Sequence, residues 1–410
     1  MRILDKKVLT KFDNKLDKSL NRNTISNSLK ANGIYKTALD SGKKALHDNN
    51  FLKVINRKYH FNSDQGNDIL NYLLEEIEFE LSEKSKTSIK LSKAYIMFWE
   101  RLERSNFILE TLLLGGLDNS QRELNRILDR WMLEKGDWDS YLFLIQKYGL
   151  KTKEQVEETY ISKNPNQLDN LIKVKLQQCS AILSRMKSSN FKSDEILNKK
   201  EKAMSDIFNM LVYSLGNPNL EYESLSISEL KLNDEYLNVV NLPCVNLPFN
   251  NSYFSSTTKI CLEQTASTFI NLSFESIKEI MILQISSGNT VIIGNDEIIS
   301  GVSNYYFEEM YDLNETMATC LDIDKGKRIN FGISKINTIS NIIGYGESPS
   351  NSIWKLINNG NEVIVDDNWL KENTYKFILN KDLINKVCSN IKYDNPTEIA
   401  SDNPIGVLLQ

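Results

Sequence analysis

Ala94-Tyr95-Ile96-Met97-Phe98-Trp99-Glu100-Arg101-Leu102-Glu103-Arg104-Ser105-Asn106-Phe107 is where the chain's architecture is easiest to read. Tyr95, Phe98, Trp99, Leu102 and Phe107 recur at helical spacing and supply the bulk of one apolar face, with charged residues between them. The stretch predicts a helix from Ser92 to about Leu114, stopped by Gly115-Gly116. Upstream, Ile69, Leu70, Leu73, Leu74, Ile77 and Leu81 form a second apolar stripe of the same period. Gly66 stands just outside that helix and Asp68 in its first turn.

Downstream, further helices are predicted over 119–134, 138–148, 166–187 and 195–215, the last closed by Gly216 and Pro218. Residues 1–60 are polar and read as an arm. The pattern changes near residue 240, where Asn241-Leu242-Pro243 and Asn246-Leu247-Pro248 punctuate the chain. A helix from Ser273 to Ser286 ends at Gly288, and short β-like runs follow at Thr290–Ile293, Ile339–Tyr345, Ile353–Ile357, Glu362–Val365 and Tyr375–Leu379. Helices first and strands later give an α+β protein with segregated halves. The expected division is an arm at 1–60, a mainly helical half at 61–240, a strand-rich half at 241–395 and a tail at 396–410.

Composition narrows the function classes. Hydrophobic residues make up 41% and charged residues 25%, as in a globular protein in water. The formal net charge is −5, and the basic N-terminal residues are offset by Asp5, Asp13 and Asp17, so no nucleic-acid footprint is visible. No apolar run has the length of a signal-peptide core or a membrane span. The five cysteines (Cys179, Cys244, Cys261, Cys320, Cys388) are odd in number, widely spaced and without CxxC pairing, which suits reduced thiols in a cytoplasm. Neither a metal site nor a nucleotide loop is expected, and no cofactor is implied.

Several segments, in order, resemble the bleomycin hydrolase/aminopeptidase C family of papain-like proteins. The stretch quoted first is similar to that family's S-x-x-Y-x-x-F-W-D-K-L-E-K-A-N-x-F-L-E helix. Gly136-Asp137-Trp138-Asp139 resembles its Gly-Gly-Gln-Trp-Asp loop, and Ile145 to Gly149 the I-x-K-Y-G that follows. Asp206 to Pro218, Gly288 to Asp296, Trp369 with Tyr375 and Lys381, and Asn403-Pro404-Ile405-Gly406 continue the series. The resemblance implies a papain-like fold, with helical and strand-rich halves around a cleft. It also implies a ring-shaped hexamer whose C-terminal carboxylate, here that of Gln410, lies in the cleft against a substrate's amino group.

A papain-type peptidase needs a thiolate at a helix N-terminus, a histidine to move the proton, an Asn or Asp to orient it and a Gln to serve the oxyanion. Anchored on Gly66, the family's Gln-x-x-x-Gly-Arg-Cys-Trp segment puts Asn62 at the Gln, Asp68 at the Cys and Ile69 at the Trp. Lys325, Arg328, Gly332 and Ser334 match K-A-E-R-L-x-Y-G-E-S-x-M-T-H-A-M and put Thr338 at the His. Trp354-Lys355-Leu356-Ile357-Asn358 resembles W-K-V-E-N and keeps the asparagine as Asn358. Independently of this register, no cysteine precedes Cys179 and no histidine follows His60.

The bland reading makes Asp68 a favourable first-turn residue, Asn358 a remnant that satisfies a nearby backbone group, and the five tryptophans core. Thr338 has no base identifiable from sequence. Two functions follow. In one, the chain is an inactive homologue: a cytoplasmic protein that binds a peptide or peptide terminus, or assembles with itself or an active paralogue. In the other, Asn62, Asp68, Thr338 and Asn358 run changed chemistry on a peptide, such as a lyase, cyclase or transfer reaction. An ordinary aminopeptidase would need its cysteine and histidine from another chain. A working cleft should be open and lined by polar groups, whereas a dead one should be filled by bulky side chains such as Ile69.

Overall fold

The computed structural model describes residues 51–55, 69–114, 137–218, 235–255, 259–296, 324–332, 338–347, 352–358 and 360–400, with positions 31, 225, 305–306, 334, 336 and 408. In chain order its elements begin with β1 (Phe51–Val54), α1 (Ile69–Ser85), α2 (Lys93–Leu113), α3 (Trp138–Tyr148), α4 (Tyr160–Lys163), α5 (Asn166–Ser188) and α6 (Ser193–Leu215). Next come β2 (Tyr236–Val240), β3 (Asn251–Phe254), β4 (Thr268–Asn271), α7 (Phe274–Ser286), β5 (Val291–Asn295), β6 (Tyr305–Tyr306) and α8 (Lys325–Asn330). The chain continues with β7 (Thr338–Glu347), β8 (Ser352–Asn358), β9 (Asn361–Asp366), α9 (Asp367–Asn373), β10 (Thr374–Asn380), α10 (Lys381–Val387) and β11 (Lys392–Glu398).

The helices α2 and α3 each start where a side chain satisfies one of their free N–H groups. The Ser92 hydroxyl accepts from the Tyr95 amide at 3.3 Å, and the Asp137 carboxylate accepts from that of Ser140 at 2.9 Å. Trp99 of α2 stacks on Tyr148 of α3, with ring centroids 3.9 Å apart, and the Tyr95 hydroxyl donates to the Tyr148 carbonyl at 2.7 Å. Arg101 donates to Asp169 of α5 at 2.9 Å and to Glu100 at 2.8 Å. The stretch quoted first is thus a scaffold that clamps neighbouring helices to one another.

The strands form one sheet in the order β11-β3-β4-β2-β10-β5-β7-β8-β9-β6, and β1 pairs with β7. Its centre is buried on both faces, as hydrophobic runs without polar alternation require. Ile292 of β5 and Ile378 of β10 belong to the core shared with α1, α2, α3, α5 and α6. Val291, Ile293, Phe377 and Leu379 point into the opposite core, covered by α7, α9 and α10. A third cluster gathers Val240, Phe269, Ile329, Tyr375 and Leu408, with Ile336 packed against it.

The papain-like α+β arrangement stands, with three adjustments. Within the expected arm, Phe51–Val54 is a strand paired to Gly344–Gly346. A Cβ on Gly344 would lie 2.8 Å from the Lys53 carbonyl oxygen, so glycine permits that close approach. The sheet begins at Tyr236 rather than after 240, since β2 needs β4 and β10 as partners and carries no strong local signal. The strands β3, β4 and β11 were also unread, being four to seven residues long and partly polar. The helix expected over 119–134 lies outside the described residues.

Candidate functional site

α1 meets the sheet through one face. Tyr72 and Glu76, four residues apart, point the same way. The Tyr72 hydroxyl lies 3.2 Å from the Ile339 carbonyl oxygen of β7 and 3.3 Å from that of Ile357 of β8. Glu76 accepts from the Thr290 hydroxyl at 2.7 Å, just before β5. The first turn of the helix that should carry a nucleophile therefore sits at the paired ends of the strands that carry positions 338 and 358.

Thr338 opens β7 and is buried, opposite Asn295 of β5, which is itself opposite Thr374 of β10. Asn358 closes β8 and is also buried; it faces Asn361 across the hairpin, where Gly360 takes φ 76°. The pair Asn341↔Ile357, continued by one residue, sets Asn358 opposite Ser340, and Thr338 follows two residues along on the same face. Asn295 Oδ1, Ser340 Oγ, Asn358 Oδ1 and Thr374 Oγ1 are buried with no hydrogen-bond partner among the described residues. Asn358 Oδ1 thus departs from the expected remnant that satisfies a nearby backbone group. Buried polar groups are otherwise almost always paired, so this patch is set for water or a ligand's polar groups.

Ile69 is buried and packs in the helical core. Of the other residues, Asn62, Asp68 and Gln410 lie outside the described residues. Leu408 is buried in the cluster against which Ile336 packs, which puts that part of the tail beside the segment leading into Thr338. Trp138, Trp354 and Trp369 are core residues, and Trp99 packs against the helical core. Trp131 falls outside the described residues.

Sequence reasoning missed two features. One is Tyr72, which reads as an ordinary core aromatic because its partners are backbone carbonyls far along the chain. The other is a charged group where α3 meets the sheet. Asp137 is buried, and its Oδ2 lies 4.0 Å from Lys376 Nζ of β10. Burial, together with the neighbouring Asp137 charge, pushes the Asp139 carboxyl up to about 7, against the opposing pull of Lys376. Between the two acids, Trp138 packs against Tyr236 with ring centroids 6.3 Å apart. The Asp-Trp-Asp spacing was legible as a motif, but its lysine was not.

The register across β10, β5 and β7 links the two places. Lys376 pairs with Gly294 and Gly294 with Ile339, so the charged group stands two strands from the patch. Among the described residues no group of His, Cys, Asp and Glu could hold a metal ion, and no helix is long and apolar enough to cross a membrane.

With this geometry in hand, comparison with known proteins places the chain. The pattern of the Peptidase C1-like family matches residues 3–227 and 227–406. The chain belongs to the Peptidase C1-like family. Within that family, the aminopeptidase C of Streptococcus thermophilus is 24% identical over 361 residues, which cover 80% of this chain and 81% of that protein. The aminopeptidase C of Lactobacillus helveticus is 22% identical over 441 residues, covering 98% and 97%. The crystal structure of PepW from Lactobacillus rhamnosis HN001 superposes with a TM-score of 0.81 at 21% identity, over 98% of this chain and 99% of that one. Kinship with the aminopeptidase C branch and the papain-like fold are thereby established.

Proposed function

We propose that this Peptidase C1-like chain is a catalytically inactive relative of the aminopeptidases that holds peptides in the old cleft. The observation that carries this is the buried polar patch of Asn295, Ser340, Asn358 and Thr374 near the ends of β5, β7, β8 and β10, whose side-chain oxygens lack partners among the described residues. Peptide N–H groups are donors of the kind such oxygens accept. The chemistry around the patch points away from hydrolysis. No cysteine precedes residue 179 and no histidine follows residue 60, so neither a thiolate nor an imidazole comes from the expected segments. Bulky Ile69 and Tyr72 are buried where the helix meets the sheet. In this reading the protein is cytoplasmic, works as a homo-oligomer or beside an active paralogue, and brings its C-terminal tail toward the cleft.

Purified protein incubated with a peptide mixture and followed by mass spectrometry tests the reading. The expected result is retention of peptides with no mass change, in wild type and in Asp68→Ala. A mass change produced by the wild type and lost in Asp68→Ala would overturn it. The second reading, changed chemistry on a peptide, is favoured by the Asp139 carboxyl, which holds its proton to about pH 7 and so suits general acid–base work. Under that reading Asp139→Asn also abolishes the mass change.

A further inference from the structure

Away from the cleft, α5 and α6 form an open groove of about 170 Å³. Lys175, Cys179 and Ile182 line it from α5 at i, i+4 and i+7, and Lys199, Lys202 and Asp206 from α6 at i, i+3 and i+7. Each set occupies one face of its helix, so the two faces confront each other across the groove. Three ammonium groups meet one carboxylate there. Lys175 is engaged with Asp206 in an ion pair. Among the described residues, Lys199 and Lys202 have no ion pair. Asp206 registers all three charges: its hydrogen bond to Lys175, with the nearby Lys202 and Lys199, holds its carboxyl below the usual range. Lysines three residues apart on one helix repel each other, a cost that a bound anion removes.

We propose that this groove binds a small ligand bearing a phosphate monoester. The groove walls contain lysine and no arginine. Three ammonium groups against one carboxylate leave two net positive charges, which match a phosphate dianion better than a monovalent carboxylate. The net charge of −5 disfavours a long polyanion, and a volume of about 170 Å³ suits a phosphate with a small body resting on Ile182 and the buried Cys179. The site is independent of the peptide-binding reading.

Calorimetric titration of the full chain with inorganic phosphate, at constant ionic strength, tests it, with sulfate and acetate in parallel. The expected result is saturable phosphate binding that exceeds both other anions and strengthens from pH 5.5 to 7.5, as the second phosphate proton (pKa about 6) is lost. Lys199→Ala/Lys202→Ala should weaken it by about tenfold or more. Lys381→Ala/Lys386→Ala, which removes equal charge from exposed positions elsewhere, should leave it unchanged. Circular dichroism checks that both variants keep the wild-type helix content. Absence of saturable binding, acetate binding as tightly as phosphate, or an equal loss in both double variants would overturn the proposal.

Discussion

Two polar places lie on opposite faces of the sheet, the charged one toward the helical half and the neutral one on the side of Ile293, Ile342 and Leu356, and they are built on opposite principles. The patch around Thr338 and Asn358 is neutral. Its groups are amides and hydroxyls on neighbouring strands, several of them without partners among the described residues. The group at Asp137, Asp139 and Lys376 is charged, and its members are tied into a helix cap and a central strand. A neutral patch can orient a ligand by hydrogen bonds but cannot move protons near neutral pH. A buried charged group can titrate, and each of its charges depends on the others for stability. The corner to which the resemblance assigns the catalytic positions is of the first kind, while the group that titrates near neutral pH stands two strands away.

The sharpest way to break this contrast is Lys376→Met. It leaves Asp137 buried without its cation, and we expect a loss of about 3 kcal/mol in urea unfolding at pH 8. A loss no larger than that of an exposed lysine would mean the charged group is not coupled. Next in size is Asp139→Asn. A carboxyl raised in the folded state from 3.8 to about 7 keeps a proton that the unfolded chain has already released, so folding stability falls as pH rises from 4 to 7. The amide variant removes that slope. It should be more stable than wild type by roughly 2 kcal/mol at pH 8 and nearly equal to it at pH 4, after allowance for the side chain's partial exposure. Unfolding curves at both pH values check the sign.

Tyr72→Phe probes the neutral place and should cost about 1 kcal/mol, with faster amide exchange at the ends of β7 and β8. The smallest stability effect belongs to Asn358→Leu. Because the Oδ1 it removes has no partner among the described residues, the melting temperature should change by no more than about 2 °C. Peptide retention, by contrast, should drop. If retention stays intact, Asn358 is a remnant after all, and the patch does not hold the ligand.

The helices were legible because their signals are local. α3 was expected over 138–148 and is found as Trp138–Tyr148, and α5 and α6 differ from expectation by no more than two residues at either end. The start of the sheet was less legible, because β2 is a strand only when β4 and β10 lie beside it. Of the candidate site, the placement of Thr338 and Asn358 on adjoining strands followed from motif register. Their shared face did not, nor did the lack of a partner for Asn358 Oδ1 among the described residues.

The sequence by itself determined that helices come first and most strands later, the family resemblance and the absence of a cysteine before residue 179 and of a histidine after residue 60. These are matters of residue type and local period, which the chain carries in plain order. Tertiary structure alone decided that Tyr72 would reach Ile339 and Ile357, that Lys376 would stand over Asp137, and that the lysines of α5 and α6 would face one groove. Such meetings depend on how helices pack on the sheet, and the pattern within one segment does not specify which distant segment will cover it.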